Sequence, residues 1–204
     1  QLAPEDKIVF ELAWREYFQH LWRHWGEDIF AARRPPPAAS YAPHMPQDVL
    51  TGCTGITVID EAVRALYRTG YLHNHARMWL ASYLVHLRKT DWKAGAMWMY
   101  RQLLDGDLAS NALSWQWVAG TLTGKPYLFN AENVERYAPQ WSSRDTVLDT
   151  GYDALDQFAR QGGDCGPHSL RAEMVDEPLA GAVPAPDNRP VWRDGGEVWL
   201  MHPW

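Results

Sequence analysis

An all-α fold is predicted by three features of the sequence. Five segments place apolar residues at three- and four-residue spacing, no segment alternates convincingly as a strand, and breakers or caps such as Gly26, Gly70 and Asp91 fall at their ends.

The first helix is expected over Glu5 to Trp25, where Val9, Leu12, Ala13, Tyr17, Leu21 and Trp25 recur on one side. Gly26 stops it, and the five prolines between Arg33 and Pro46 make the next stretch a surface loop. A second helix runs from Gly55 to Tyr67, with Ile56, Ile59, Val63 and Leu66 facing inward, and closes at Gly70. A third spans about Leu72 to Leu87. A fourth starts at the N-cap Asp91 and reaches Leu104, and a fifth opens near Asp107 and fades at Gly124. Residues 1–141 therefore read as one helical domain, incomplete at its N-terminus. Residues 142–204 read as an acidic, irregular, glycine- and proline-rich tail, or a linker to a further domain. Within that tail a short helix is expected near Tyr152 to Arg160, irregular chain over Gly162 to Arg193, and one short strand at EVWLMHPW.

With 204 residues, 46% of them hydrophobic, the chain can bury one substantial core. It holds no apolar run long enough to span a membrane, and its opening residues lack a secretory pattern. Cys53 and Cys165 are the two cysteines, too few for an iron–sulfur cluster held by thiolates, and a reduced, cytoplasmic setting is expected with no metal. A start on Gln1 suggests a processed chain or a fragment. The net charge is −6, but nine acids between Asp145 and Asp187 stand against only Arg160 and Arg171. The rest of the chain is close to neutral. It carries one basic cluster around Arg15, Arg23 and Arg33 and another from Arg64 to Lys89, which suit either phosphates or ordinary solvated helix surface.

The segment Asp105 to Trp117, DGDLASNALSWQW, is the most informative. Asp107, Asn111 and Trp115 are spaced four apart and share one helical face, and Gly106 lets backbone approach a ligand between two carboxylates. Such a polar-to-aromatic stripe suits a flat heterocycle with polar edges. It equally suits a helix stop followed by an N-cap, with indoles filling a core. The 12 tryptophans are the compositional outlier, since indoles must pack, stack or carry electrons.

Four motifs in order, ELAWREYFQHL, TGITVIDEAVRALYRTGYLHNHARM, TDWKAGAMWMYRQLLDGDLASN and WQWVAG, resemble the FAD-binding helical domain of the photolyase and cryptochrome family. The resemblance covers roughly Glu11 to Trp117, and only the proline-rich loop departs from it. It implies FAD as cofactor, UV-damaged DNA with a pyrimidine dimer as substrate, and blue-light repair of cyclobutane dimers by a carbon–carbon lyase.

By this resemblance Arg15, Asn74, Arg77, Asp105, Gly106, Asp107 and Asn111 border the cofactor. Arg77 pairs with Asp105 beside the flavin ring, and Asn111 faces the flavin N5 atom. Trp115 and Trp92 match two members of an electron-hopping chain; at the third place no tryptophan stands, and Tyr41 is the nearest aromatic by position. Glu11, Trp14, Met78 and Trp117 match the wall that grips a cyclobutane dimer. His75 stands where an arginine usually meets the DNA backbone, and is otherwise read as a surface histidine.

The antenna domain of that family, and the tyrosine and serine/threonine loop that hold the FAD phosphates, do not occur in the chain. Two other readings therefore stand beside repair. One is a cryptochrome-like photoreceptor signalling through the acidic tail; the other is a helical interaction module that has lost FAD and binds a protein partner. The expected oligomeric state is open.

Overall fold

In the computed structural model residues 6–167 and 175–178 are described, and they form eight α-helices joined by turns and by longer irregular connections. These are α1 (Lys7–Trp25), α2 (Gln47–Leu50), α3 (Thr57–Thr69), α4 (Asn74–Ser82), α5 (Trp92–Gln102), α6 (Leu108–Ala119), α7 (Ala131–Tyr137) and α8 (Tyr152–Arg160). No strand occurs among the described residues; one isolated parallel bridge joins Ala42 and Thr90. All five expected helices of the first 141 residues are present, as is the one at Tyr152–Arg160. The expected strand at EVWLMHPW and most of Gly162 to Arg193 lie outside the described residues.

Local chemistry explains most boundaries. Asp91 and Asp107 cap α5 and α6, accepting from the backbone N–H of Lys93 and Ser110 at 2.8 Å each. Gly70 ends α3 in the left-handed region (φ 65), where a Cβ would lie 2.6 Å from Leu104 Cγ. At the start of α3 the buried Asp60 carboxylate accepts from Thr54 N, Thr54 Oγ1 and Gly55 N at 2.7 to 3.0 Å. Burial raises its pKa, and these hydrogen bonds act against that rise.

Two departures from the sequence reading are physical. The third helix does not run on to Leu87 as α-helix but widens into a π-helical turn over Tyr83–Leu87. All five residues of that turn are buried, and His86 Nε2 lies 2.9 Å from the Val118 carbonyl on α6. Helices α2 and α7 are too short to show a period. Asn130 is nonetheless a capped start for α7, accepting from Asn133 N at 3.0 Å.

The core lies among α3, α4, the π-helical turn and α5, where Ile59, Val63, Leu80, Leu84 and Met99 are almost wholly buried. Each such side chain contributes roughly 1.5 to 3 kcal/mol of transfer free energy. Residues 142–167 join the same body through Leu148 and Leu155. Arg88 holds Asp48 and Asp164 at 2.6 Å each, and Lys89 Nζ donates to the Phe158 and Ala159 carbonyls at 2.8 Å. By contrast α1 buries no residue completely. Among the described residues no helix is long and apolar enough to cross a membrane.

Candidate functional site

A cavity of about 610 Å³ opens among α1, α4, α5 and α6, a size typical of cofactor and small-molecule sites. Helix α6 supplies a full stripe to it: Asp107, Ser110, Asn111, Ser114, Trp115 and Val118 follow three- and four-residue spacing. Helix α1 adds Glu11, Trp14, Arg15 and Phe18, and α4 adds Asn74, Arg77 and Met78. The turn between α5 and α6 brings Asp105 and Gly106. Twelve of the fourteen residues singled out in the sequence line this one cavity; Trp92 and His75 do not.

The polar groups are fixed by their neighbours. Arg77 Nη2 meets Asp105 Oδ2 at 2.6 Å while its Nε donates to the Leu72 carbonyl at 2.8 Å, so the guanidinium is held from two sides. Asp107 has both oxygens engaged, one by its own helix start and the other by the Gln19 side-chain amide. The helix-cap reading of this aspartate and its place in the cavity wall thus both hold. Asn111, a lining residue, donates from Nδ2 to the Ala96 carbonyl at 2.8 Å and has its amide oxygen left as an acceptor.

Three lining atoms, Arg15 Nε, Asp105 Oδ1 and Ser110 Oγ, are buried with no protein partner. Buried polar groups are normally satisfied, so these mark where a ligand with its own donors and acceptors would complete the site. Apolar Met99, Leu103 and Val118 complete the walls, and polar edges around an apolar floor fit a flavin ring.

Aromatic residues are arranged at two depths. Trp115 is almost buried and packs closely on Gly95 of α5, where an added Cβ would come within 2.4 Å of the indole. Trp14 and Trp117 stay 58% and 40% exposed, enough for each to offer a face to an incoming planar group. Trp117 also packs on Tyr127 with ring centres 5.4 Å apart.

The two residues outside the cavity have other surroundings. His75 stacks between His73 and Tyr137, with ring centres 5.3 and 4.3 Å away. Burial first, then His73 and Lys7, lowers its pKa. Trp92 is buried in α5 beside a second cavity of about 220 Å³. Phe18, Ser110 and Ser114 were not singled out from the sequence. The two serines sit at positions that extend the Asp107–Asn111–Trp115 stripe, so the spacing alone pointed to them.

Residues 8–146 match the family model described as the FAD binding domain of DNA photolyase. The chain is 38% identical over 151 residues to the cryptochrome DASH of Vibrio parahaemolyticus, covering 68% of this chain and 34% of that protein. It is 39% identical over 135 residues to the deoxyribodipyrimidine photo-lyase of Salmonella typhimurium, covering 63% of this chain and 28% of that protein. The chain thus spans about a third of the length of these relatives. A crystal structure of an archaeal photolyase from Sulfolobus tokodaii, with two FAD molecules, superposes with a TM-score of 0.61 at 26% identity, covering 81% of this chain and 41% of that one.

Proposed function

The chain belongs to the family of the FAD-binding domain of DNA photolyases, and on that premise we propose that the cavity among α1, α4, α5 and α6 holds the flavin ring for blue-light repair of cyclobutane pyrimidine dimers. The carrying observation is the meeting of twelve family-matching residues around one cavity whose buried Arg15, Asp105 and Ser110 atoms await partners. When bound, a reduced flavin supplies the electron that opens the dimer under blue light and receives it back.

The residues of this chain have separable tasks. Arg77, locked by Asp105 and the Leu72 carbonyl, keeps a cation beside the ring and favours its anionic reduced form. Asn111 is a neutral amide that cannot deliver a proton to the ring; one of its Nδ2 hydrogens is donated to the Ala96 carbonyl, and its oxygen serves as acceptor for a ring N–H. Glu11, Trp14, Met78 and Trp117 grip the flipped-out dimer: the carboxylate takes the base edge, the indoles stack, and the thioether fills the remaining space. Each stacked base gains ~1 to 3 kcal/mol. His75, stacked on Tyr137, meets the DNA backbone only when protonated. Trp115 and Trp92 carry electrons inward to reduce an oxidised flavin.

Reconstitution with FAD followed by illumination on an oligonucleotide carrying a thymine dimer tests this reading, with the flavin reduced beforehand. Dimer loss that depends on both light and flavin is expected. A protein that takes up no FAD overturns it. A flavin-loaded protein that leaves dimers intact at saturating DNA favours the second reading, a photoreceptor without repair, which the likeness to a protein named cryptochrome DASH supports.

A further inference from the structure

Along α6 the cavity-lining positions run from Asp107 through Ser110, Asn111, Ser114 and Trp115 to Val118. Ser114 stands one helical turn past Asn111 and one turn before Trp117. It therefore sits where the residues assigned to the cofactor give way to those assigned to the dimer, in the cavity that also receives Glu11, Trp14 and Met78. Unlike Ser110, whose hydroxyl oxygen is buried, Ser114 is exposed and open to a group that enters from solution.

The four residues assigned to the dimer leave one need unmet. A pyrimidine dimer presents carbonyl oxygens as well as N–H groups, and an acceptor taken out of water needs a donor. The Glu11 carboxylate only accepts, and the Met78 thioether has nothing to donate. An indole that stacks offers its face, while its N–H lies in the ring plane and points away from the stacked base. Arg77 is committed at the cofactor end to Asp105 and the Leu72 carbonyl. Among the described residues no partner engages the Ser114 hydroxyl. Thr69, also helical, instead turns its hydroxyl back onto the Ala65 carbonyl at 2.7 Å.

We propose that Ser114 touches the substrate, donating its hydroxyl hydrogen to a carbonyl oxygen of the flipped-out dimer between Asn111 on the cofactor side and Trp117 on the stacking side. This rests on the repair reading of the cavity and adds to it a hydroxyl donor for the dimer's polar edge. The hydrogen bond strengthens when the dimer takes up an electron, because the added charge spreads onto the carbonyl oxygens and a charged acceptor binds a donor more tightly. Ser114 thereby favours the dimer on its way to ring opening over the resting dimer. The hydroxyl keeps its proton throughout. The dimer receives one electron and gives one back, the carbon–carbon bonds of the cyclobutane ring break within the substrate, and no bond to Ser114 forms or breaks.

The test uses the full chain loaded with FAD, titrated in the dark with a thymine-dimer oligonucleotide and with the same oligonucleotide undamaged. Alanine suits an exposed helix position, so Ser114→Ala keeps the fold, which urea unfolding checks. Ser114→Ala is expected to bind the dimer about fivefold more weakly or worse, with undamaged DNA and FAD bound as before, whereas Ser114→Thr, which keeps a hydroxyl, stays within about twofold of the unmodified chain. With the flavin reduced and DNA saturating, repair per absorbed photon in Ser114→Ala should also fall by about threefold or more. Any one of three results overturns the proposal: equal dimer affinity in Ser114→Ala and the unmodified chain, an equal loss on damaged and undamaged DNA, or an unchanged yield per photon. In those cases a dimer preference that Trp117→Ala removes leaves the repair reading standing. An unmodified chain with no preference for the dimer overturns both.

Discussion

At Asn111, on the cavity wall, the side-chain amide is tied down through its Nδ2 hydrogens, one of which is donated to the Ala96 carbonyl. Asn111→Asp replaces those hydrogens with a second oxygen facing a carbonyl. The new carboxylate would sit against an anionic ring and favour its protonated form, so the midpoint potential of bound FAD is expected to fall and to become more dependent on pH, as spectroelectrochemical titration would read. Arg77 and Asp105 make a second test. Asp105→Asn removes the charge that fixes the guanidinium, and a charge-assisted hydrogen bond is worth roughly 1.5 to 3 kcal/mol, so about a tenfold or greater loss of FAD affinity by fluorescence titration is expected. The residue types and their spacing were legible in the sequence because a helix turns spacing into a face. What was not legible is which atom of each side chain is committed elsewhere: both Asp107 oxygens are engaged, one by Gln19 from α1, a pairing 88 positions apart that no local pattern encodes.

Helix α6 does the work of a wall because its partner α5 has a glycine where the Trp115 indole crosses it. Gly95→Ala puts a methyl 2.4 Å from that indole, which cannot retreat into a packed core. A loss of about 1 to 3 kcal/mol in denaturant unfolding is expected, together with slower photoreduction of bound flavin. Serine at the same position should be no better, whereas Gly162→Ala, with nothing within 4 Å of the added methyl, should be silent. Periodic helices were readable because each needs only its own residues to show a stripe. The π-helical turn was not: Tyr83 to Leu87 are buried all round, so the period vanishes, and the widened turn is set by contacts to Val118 far along the chain. The seven-residue α7 is too short to repeat, and only its Asn130 cap announces it.

Over the whole molecule, stability is tied to pH through His86. It is buried among α4, α6 and α8, and that burial holds its pKa down to about 4, outweighing its contact with the Val118 carbonyl. The unfolded chain takes up this proton more readily than the folded one. The contribution is therefore complete above the ordinary histidine range and is lost as pH falls toward 4, by on the order of 3 kcal/mol. His86→Gln should flatten the slope of unfolding free energy between pH 6.5 and 4 relative to the unmodified chain, as measured by urea titration at each pH. The packing of residues 142–167 could not be read from composition, because Asp164 there meets Arg88 of a remote segment.

Among the described α-helices, α1 is the least secured. It carries Glu11, Trp14 and Arg15 to the cavity yet buries none of its residues fully, so it can lift from the body without opening the α3–α5 core. Backbone amides of α1 should exchange with deuterium well before those of α3, and FAD should slow α1 selectively. On that view the residence time of the flavin is set by how often this one helix lets go.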